Sequence, residues 1–193
     1  MTAFVTVGTT RFDALVAAAD DPAFAAALVA RDFTHLAVQA GAGGDYKPHR
    51  LLGEGVSAGV VKVGKERGVP LSVEFFAYAP SLADRMAAAD LVISHAGAGS
   101  VFEALRLRKP LVAVPNPALM GDHQGELARS LSASSHAAAA SPATLAGVVR
   151  ELDLGPGGRV PWVAGSPAGI VAALDGLAGR TGGKKKGLRL LSL

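Results

Sequence analysis

Residues 90–105, DLVISHAGAGSVFEAL, hold the densest set of chemically competent positions in the chain. An apolar run, buried on both faces by its composition, reaches His95 and passes through a glycine turn into a helix. The first N–H groups of a helix have no carbonyl partner inside it, and the helix dipole favours negative charge there. Gly97 and Gly99 let the backbone turn sharply and let an anion approach closely, so with Ala98 and Ser100 they form a turn suited to a phosphate. A strand-to-helix turn with no ligand has the same pattern, and the motif alone leaves both readings open. Spacing excludes two other chemistries. A dinucleotide fingerprint needs a small residue three places after the second glycine, where Phe102 stands. A nucleophile elbow around Ser100 needs glycines where Ala98 and Phe102 stand.

His95 and Glu103 are the catalytic candidates of this segment, being the side chains able to move a proton or hold a charge-assisted hydrogen bond. Each also has a structural explanation. Ser100 and Glu103 have the spacing of a capping box, and a single histidine ending a strand is as readily a packing residue as a base. His95 and His123 lack the spacing of a metal-binding pair, so neither a metal nor a cofactor is expected. The polar run MGDHQ at 120–124 follows a later strand, opens a helix and offers Asp122, His123 and Gln124. In open α/β sheets, ligands bind outside the carboxyl ends of the strands, so the loops after the first, fourth and fifth strands converge.

The elements that would position these residues alternate in type. Strands are expected at 3–7, 35–39, 70–76, 90–94 and 111–114, with helices between them. Helix starts are read at Thr10 with Asp13, at Asp21-Pro22, near 81, at Ser100, at 123, and at Ser141-Pro142 and Ser166-Pro167. Residues 41–70 read as a loop-rich insertion with one short helix over 55–63, and 154–161 as a flexible joint. The expected fold class is α/β: a Rossmann-like parallel sheet flanked by helices, one domain over 1–179 and a basic, apolar tail over 180–193.

The chain has 193 residues, half of them hydrophobic, including 38 alanines and 24 glycines. That is enough apolar surface for one sizeable core and excludes disorder for the body. With no cysteine, disulfides and thiolate chemistry are excluded. The formal charge of +3 arises from five basic residues at 180–193; positions 1–179 carry 14 basic against 16 acidic side chains. No nucleic-acid partner is therefore expected. MTAFVTVGTT reads as a strand rather than a signal peptide, and no apolar run reaches membrane-spanning length, so a cytoplasmic location is expected.

FVTVGTTRFDALV at 4–16, ADLVISHAGAGSVFEALRLRKPLVAVPN at 89–116 and LMGDHQGELARSL at 119–131 resemble glycosyltransferase family 28. That family includes bacterial lipid II synthase and the dolichol-pathway UDP-N-acetylglucosamine transferase. The resemblance implies the C-terminal, donor-binding half of a GT-B enzyme. It implies that Gly8, Thr9 and Thr10, together with Gly97, Ala98, Gly99 and Ser100, hold the diphosphate of a UDP-sugar. Glu103 would accept hydrogen bonds from the ribose diol, since two carboxylate oxygens suit two hydroxyl donors. Phe75 and Phe76 match the position that receives the uracil, although ordinary core aromatics would look the same. Gln124 would read sugar hydroxyls, with Asp122 and His123 shaping its loop. Asp122 stands where the family commonly has asparagine, and Gly125 where bacterial relatives have a second glutamine.

The implied reaction transfers N-acetylglucosamine from UDP-N-acetylglucosamine to N-acetylglucosaminyl-diphosphodolichol with inversion at the anomeric carbon. The implied partner is a membrane-anchored, acceptor-binding subunit that recruits this chain to the cytosolic face of the endoplasmic reticulum. The C-terminal helix and the LRLLSL tail are expected to dock on that partner or on the core. Two alternatives stay open on sequence: a stand-alone UDP-sugar transferase of another acceptor, and a non-catalytic nucleotide-binding module.

Overall fold

A computed structural model describes residues 1–41, 44–64, 68–118, 123–155 and 160. The helix expected from Ser166, the 180–193 tail, Asp122 and most of the 154–161 joint lie outside these residues. In chain order the elements are β1 Thr2–Thr6, α1 Asp13–Ala19, α2 Pro22–Val29, β2 His35–Gln39, β3 Ala58–Val63, β4 Val69–Phe76, α3 Ala83–Ala88, β5 Leu91–Ser94, α4 Ala98–Arg106, β6 Leu111–Ala113, α5 His123–Ala133, β7 Ala138–Ala139 and α6 Leu145–Glu151. A 3-10 turn at Pro142–Thr144 leads into α6.

The strands form one sheet in the order β3-β4-β2-β1-β5-β6-β7. All neighbours are parallel except β3 and β4. β5 and β6 are buried at every residue, as strands with helices on both faces must be. One face carries α1, α2 and α6, whose Leu15, Phe24, Leu28 and Val149 pack on Val5, Val38 and Ile93. The other face carries α3, α4 and α5, with Met86, Val101, Leu105 and Leu131 against Phe4 and Val92. This is the Rossmann-like α/β architecture that the alternating pattern predicts.

Four local expectations are corrected. Residues 58–63 form β3, not a helix: exposure alternates along it, and Val61 and Val63 pack on the core while Val60 and Lys62 face out, a period of two. Pairing antiparallel to β4, β3 closes one edge of a sheet expected to be all parallel. α1 starts at Asp13 after Phe12, and the Thr10 side chain does not cap it. α4 starts at Ala98 with Gly97 as its cap residue and no side-chain cap; Ser100 lies inside the first turn, so the capping box with Glu103 does not form. The Asp21 and Ser141 caps do form, accepting from the backbone N–H of Ala23 and Thr144. β7, within an alanine run, had no strand signal in the sequence.

Candidate functional site

Register places the strand ends in one row. Gln39 pairs with both Phe76 and Thr6, Thr6 with Ser94, and Ser94 with Ala113. The turns leaving these ends enclose a cleft of about 410 Å³, lined by Gly8, Thr9, Gln39, Tyr78 to Pro80, Leu82, His95, 97–100 and Glu103. The structure thus brings Gly8, Thr9, His95, Gly97, Ala98, Gly99, Ser100 and Glu103 together. Thr10 is not part of the lining, and its N–H is spent on the carbonyl of Val7 at 3.1 Å.

α4 supplies the anion-binding physics. The N–H groups of Ala98, Gly99 and Ser100 precede any helical carbonyl they could reach, and the chain's first bond into the helix runs from Val101 N–H to Gly97 O at 3.0 Å. A Cβ on Gly99 would meet nothing within 4 Å, so the space in front of this turn is open. Glu103 is one turn further on the same face, three and four residues from Ser100 and Gly99. Its carboxylate has no hydrogen-bond or ion-pair partner among the described residues, and the capping box that would engage it is absent.

The Gly8 turn is held differently. Gly8 sits at φ +59°, and its N–H already donates to Thr6 Oγ1 at 3.0 Å and Gln39 Oε1 at 3.1 Å. Its backbone amide therefore faces inward, and among the described residues the Thr9 N–H has no partner. Between the two glycine turns stands the His95 ring. A Cβ on Gly8 would lie 2.7 Å from His95 Cε1, and one on Gly97 would lie 2.2 Å from His95 Nε2. Both glycines are required because the imidazole fills the space between them. His95 is 6% exposed and its Nδ1 has no partner. Burial pushes its pKa below the ordinary value, keeping the ring neutral. Ala96 beside it is in the left-handed region at φ +59°, local strain of the kind found at ligand clamps.

The aromatic residues divide otherwise than expected. Phe75 belongs to the core. The Phe76 ring stacks on Phe4, with centroids 6.4 Å apart, and carries the Arg85 guanidinium 4.1 Å from its centroid. Arg85 is itself paired with Glu74 at 2.7 Å. Both rings are engaged in packing. Tyr78, by contrast, is 67% exposed and lines the cleft with Glu103; its ring is free to lie against a base. Sequence reasoning missed Tyr78 and Gln39; the only available signal was that Gln39 ends an expected strand and Tyr78 follows another by two residues.

Past the end of β6, Asn116 links three segments. Its N–H donates to Gln124 Oε1 at 2.9 Å, its Nδ2 to Arg11 O at 3.0 Å, and its Oδ1 accepts from Ala118 N–H at 3.0 Å. Gln124 is half-buried at the start of α5 with its oxygen engaged, while His123 is exposed. Neither lines the cleft that holds Glu103.

A larger and more apolar cavity, about 470 Å³, lies beyond β2 and β4 and includes Phe75, Phe76, Tyr46 and Val56. Its wall is fixed by Asp20, which is fully buried. Asp20 accepts from Tyr46 Oη at 2.7 Å and from the N–H of His49, Arg50 and Leu51 at 2.8, 2.9 and 3.0 Å. Burial and that bond push the Tyr46 phenol up to about 12. The unbonded first-turn N–H groups of α4 lie in the smaller cleft, not in this cavity. Among the described residues, no group of three or more histidine, aspartate or glutamate side chains could hold a metal, and no helix is long and apolar enough to cross a membrane.

The model of the glycosyltransferase family 28 C-terminal domain matches residues 2–157. UDP-N-acetylglucosamine transferase subunit ALG13 of Mus musculus is 40% identical over 134 residues, 69% of this chain and 10% of that protein. The subunit of the same name from Candida glabrata is 33% identical over 165 residues, 75% of this chain and 82% of that one. The chain thus spans about a tenth of the mouse relative and most of the yeast one. Among solved structures, the solution structure of ALG13 covers 90% of this chain and 94% of its own, with TM-score 0.62 and 24% identity. The crystal structure of Acinetobacter baumannii MurG covers 78% and 39%, with TM-score 0.52 and 19% identity. These likenesses show the fold, that of a GT-B half. With the family model spanning every strand and the cleft between them, the chain belongs to glycosyltransferase family 28, whose C-terminal domain it carries.

Proposed function

We propose that this chain is the donor-binding subunit of an inverting UDP-N-acetylglucosamine transferase. The observation that carries the reading is an unengaged carboxylate, Glu103, on the same helix face as three free first-turn N–H groups, in one open cleft. That pairing suits a nucleoside diphosphate. The diphosphate lies on the N–H groups of Ala98, Gly99 and Ser100, where charge gathering on the departing UDP meets preorganised donors. Glu103 accepts from the two ribose hydroxyls, and Tyr78 lies against the uracil. Displacement at the anomeric carbon from the face opposite UDP inverts its configuration. His95, neutral and enclosed between Gly8 and Gly97, shapes this site rather than taking the acceptor proton.

The base and the acceptor site are assigned to a second, membrane-anchored chain, and the acceptor to N-acetylglucosaminyl-diphosphodolichol at the cytosolic face of the endoplasmic reticulum. The word "subunit" in the relatives' names supports a partner chain, and their donor supports UDP-N-acetylglucosamine. Titration of the purified chain with UDP-N-acetylglucosamine and UDP-glucose, with and without a membrane fraction, tests the reading. The expected result is preference for the N-acetylated donor, with transfer to lipid acceptor only when membranes are added. Full turnover on a soluble acceptor by the chain alone would overturn the partner assignment. Absence of UDP binding would overturn the donor site.

A further inference from the structure

Gln39 ends β2 3% exposed, with its carboxamide turned toward Gly8 and Thr6 at the neighbouring strand. Nε2 donates to Gly8 O at 2.7 Å; Oε1 accepts from Gly8 N–H at 3.1 Å and from the Thr6 hydroxyl. One side chain therefore grips both polar groups of a single residue. Burying a carboxamide carries a desolvation cost that an apolar residue of the same size would avoid, and only paired groups offset it. Packing alone does not call for glutamine here.

What the grip controls follows from contacts already described. Gly8 is held in the left-handed region against Cε1 of the His95 ring, and the adjacent Nε2 bears on Gly97, the cap residue of α4. Gln39, Gly8, His95 and Gly97 make one continuous stack from β2, across β1, to the first turn of α4. Nδ1 of the ring has no hydrogen-bond partner among the described residues, so the ring's position depends on the walls. The strained Ala96 between His95 and Gly97 gives that segment a reason to relax if a wall retreats.

We propose that Gln39 is a positioning residue for the donor diphosphate: by fixing Gly8 it fixes the His95 ring, and through the ring the direction of the first-turn N–H groups of α4. This rests on the donor-site reading above. Gln39 touches neither base nor ribose in this account, so its loss should weaken the part of the affinity that the diphosphate contributes and no other part.

The test compares UDP with uridine on Gln39→Met, which keeps the length and loses the hydrogen bonds, and on Gln39→Glu, which keeps the acceptors and loses the donor to Gly8 O. For either folded variant the UDP dissociation constant should rise about tenfold, the scale of one lost hydrogen bond to a charged group, while that for uridine stays within about twofold. The His95 ring resonances should shift in the ligand-free protein. UDP and uridine affinities that move together, or an unchanged UDP constant in a folded variant, overturn the proposal. If the parent binds UDP no more tightly than uridine, the diphosphate reading itself falls, and the proposal with it. Should Gln39→Met not fold, Gln39→Glu gives the same comparison.

Discussion

Glu103→Gln separates two roles that its place in the chain permits. With Gly97 as the α4 cap residue and no side-chain cap bond, the change should leave the thermal midpoint where it is. A ribose ligand would lose charge-assisted hydrogen bonds of about 1.5–3 kcal/mol, weakening UDP binding by roughly 10- to 150-fold. Calorimetry decides it: a dissociation constant within about twofold of the parent removes Glu103 from the site. Tyr78→Ala should likewise be silent in stability, since the ring is 67% exposed. Base stacking at about 1–3 kcal/mol implies UDP binding weaker by roughly fivefold or more, measured in the same titration; equal affinities would leave the uracil without this ring. Glu103 and the two glycines were legible because a strand, a glycine turn and a helix start stand together in one stretch of sequence. Gln39 and Tyr78 were not: Tyr78 stands in the loop after β4 outside any motif, and only the pairing of Gln39 with Thr6 brings that carboxamide to Gly8.

At the level of elements, the first turn of α4 is the sharpest target. A side chain at Gly99 would project into open space, so Gly99→Val should fold with at most a modest helix-propensity cost and lose UDP binding. A folded Gly99→Val that binds UDP normally would show that the diphosphate lies elsewhere. Asp20 tests a different element, the 46–51 loop. Asp20→Ala leaves four donors without their acceptor, and urea unfolding should show a loss of about 3 kcal/mol; a loss under about 1 kcal/mol would mean water replaces the carboxylate freely. The strands β1, β2, β4, β5 and β6 were readable within a residue or so, β5 and β6 as apolar runs buried at every residue and β4 by its alternation. β3 was hidden by the glycines around it, and its identity comes from β4, against which its alternation acquires an inside and an outside. β7 is two alanines long and exists only because β6 has a free edge. The start of α4 was misplaced because Ser100 and Glu103 mimic a cap that Gly97 makes unnecessary.

For the molecule as a whole, stability should depend on pH through His95. Burial holds its folded pKa below the ordinary 6.5, so just below that pH the unfolded chain binds the proton more readily than the folded one. Stability then rises with pH: the contribution is complete above about pH 6.5 and is lost as pH falls from there toward the folded value. Urea midpoints taken from pH 8 down to 5 should be level at first and then fall, and His95→Asn should flatten the slope between pH 6.5 and 5. An unchanged slope would mean that the ring is not enclosed in solution. The strand order has a further consequence for how the protein comes into being. β1 is central: it pairs with β2 on one side and, on the other, with β5 at Leu91–Ser94. Translation at about 5–20 residues per second leaves the β5 side of β1 open for several seconds after β1 has emerged. During that interval Phe4 and Val5 line an unpaired edge, the form in which a nascent chain invites chaperones or a wrong strand. Gly8 and Gln39 leave the ribosome early, Gly97 and Glu103 late, so the cleft cannot template its own assembly. It is completed only when β5 slots in beside β1, and a fragment ending before Leu91 should be blind to UDP.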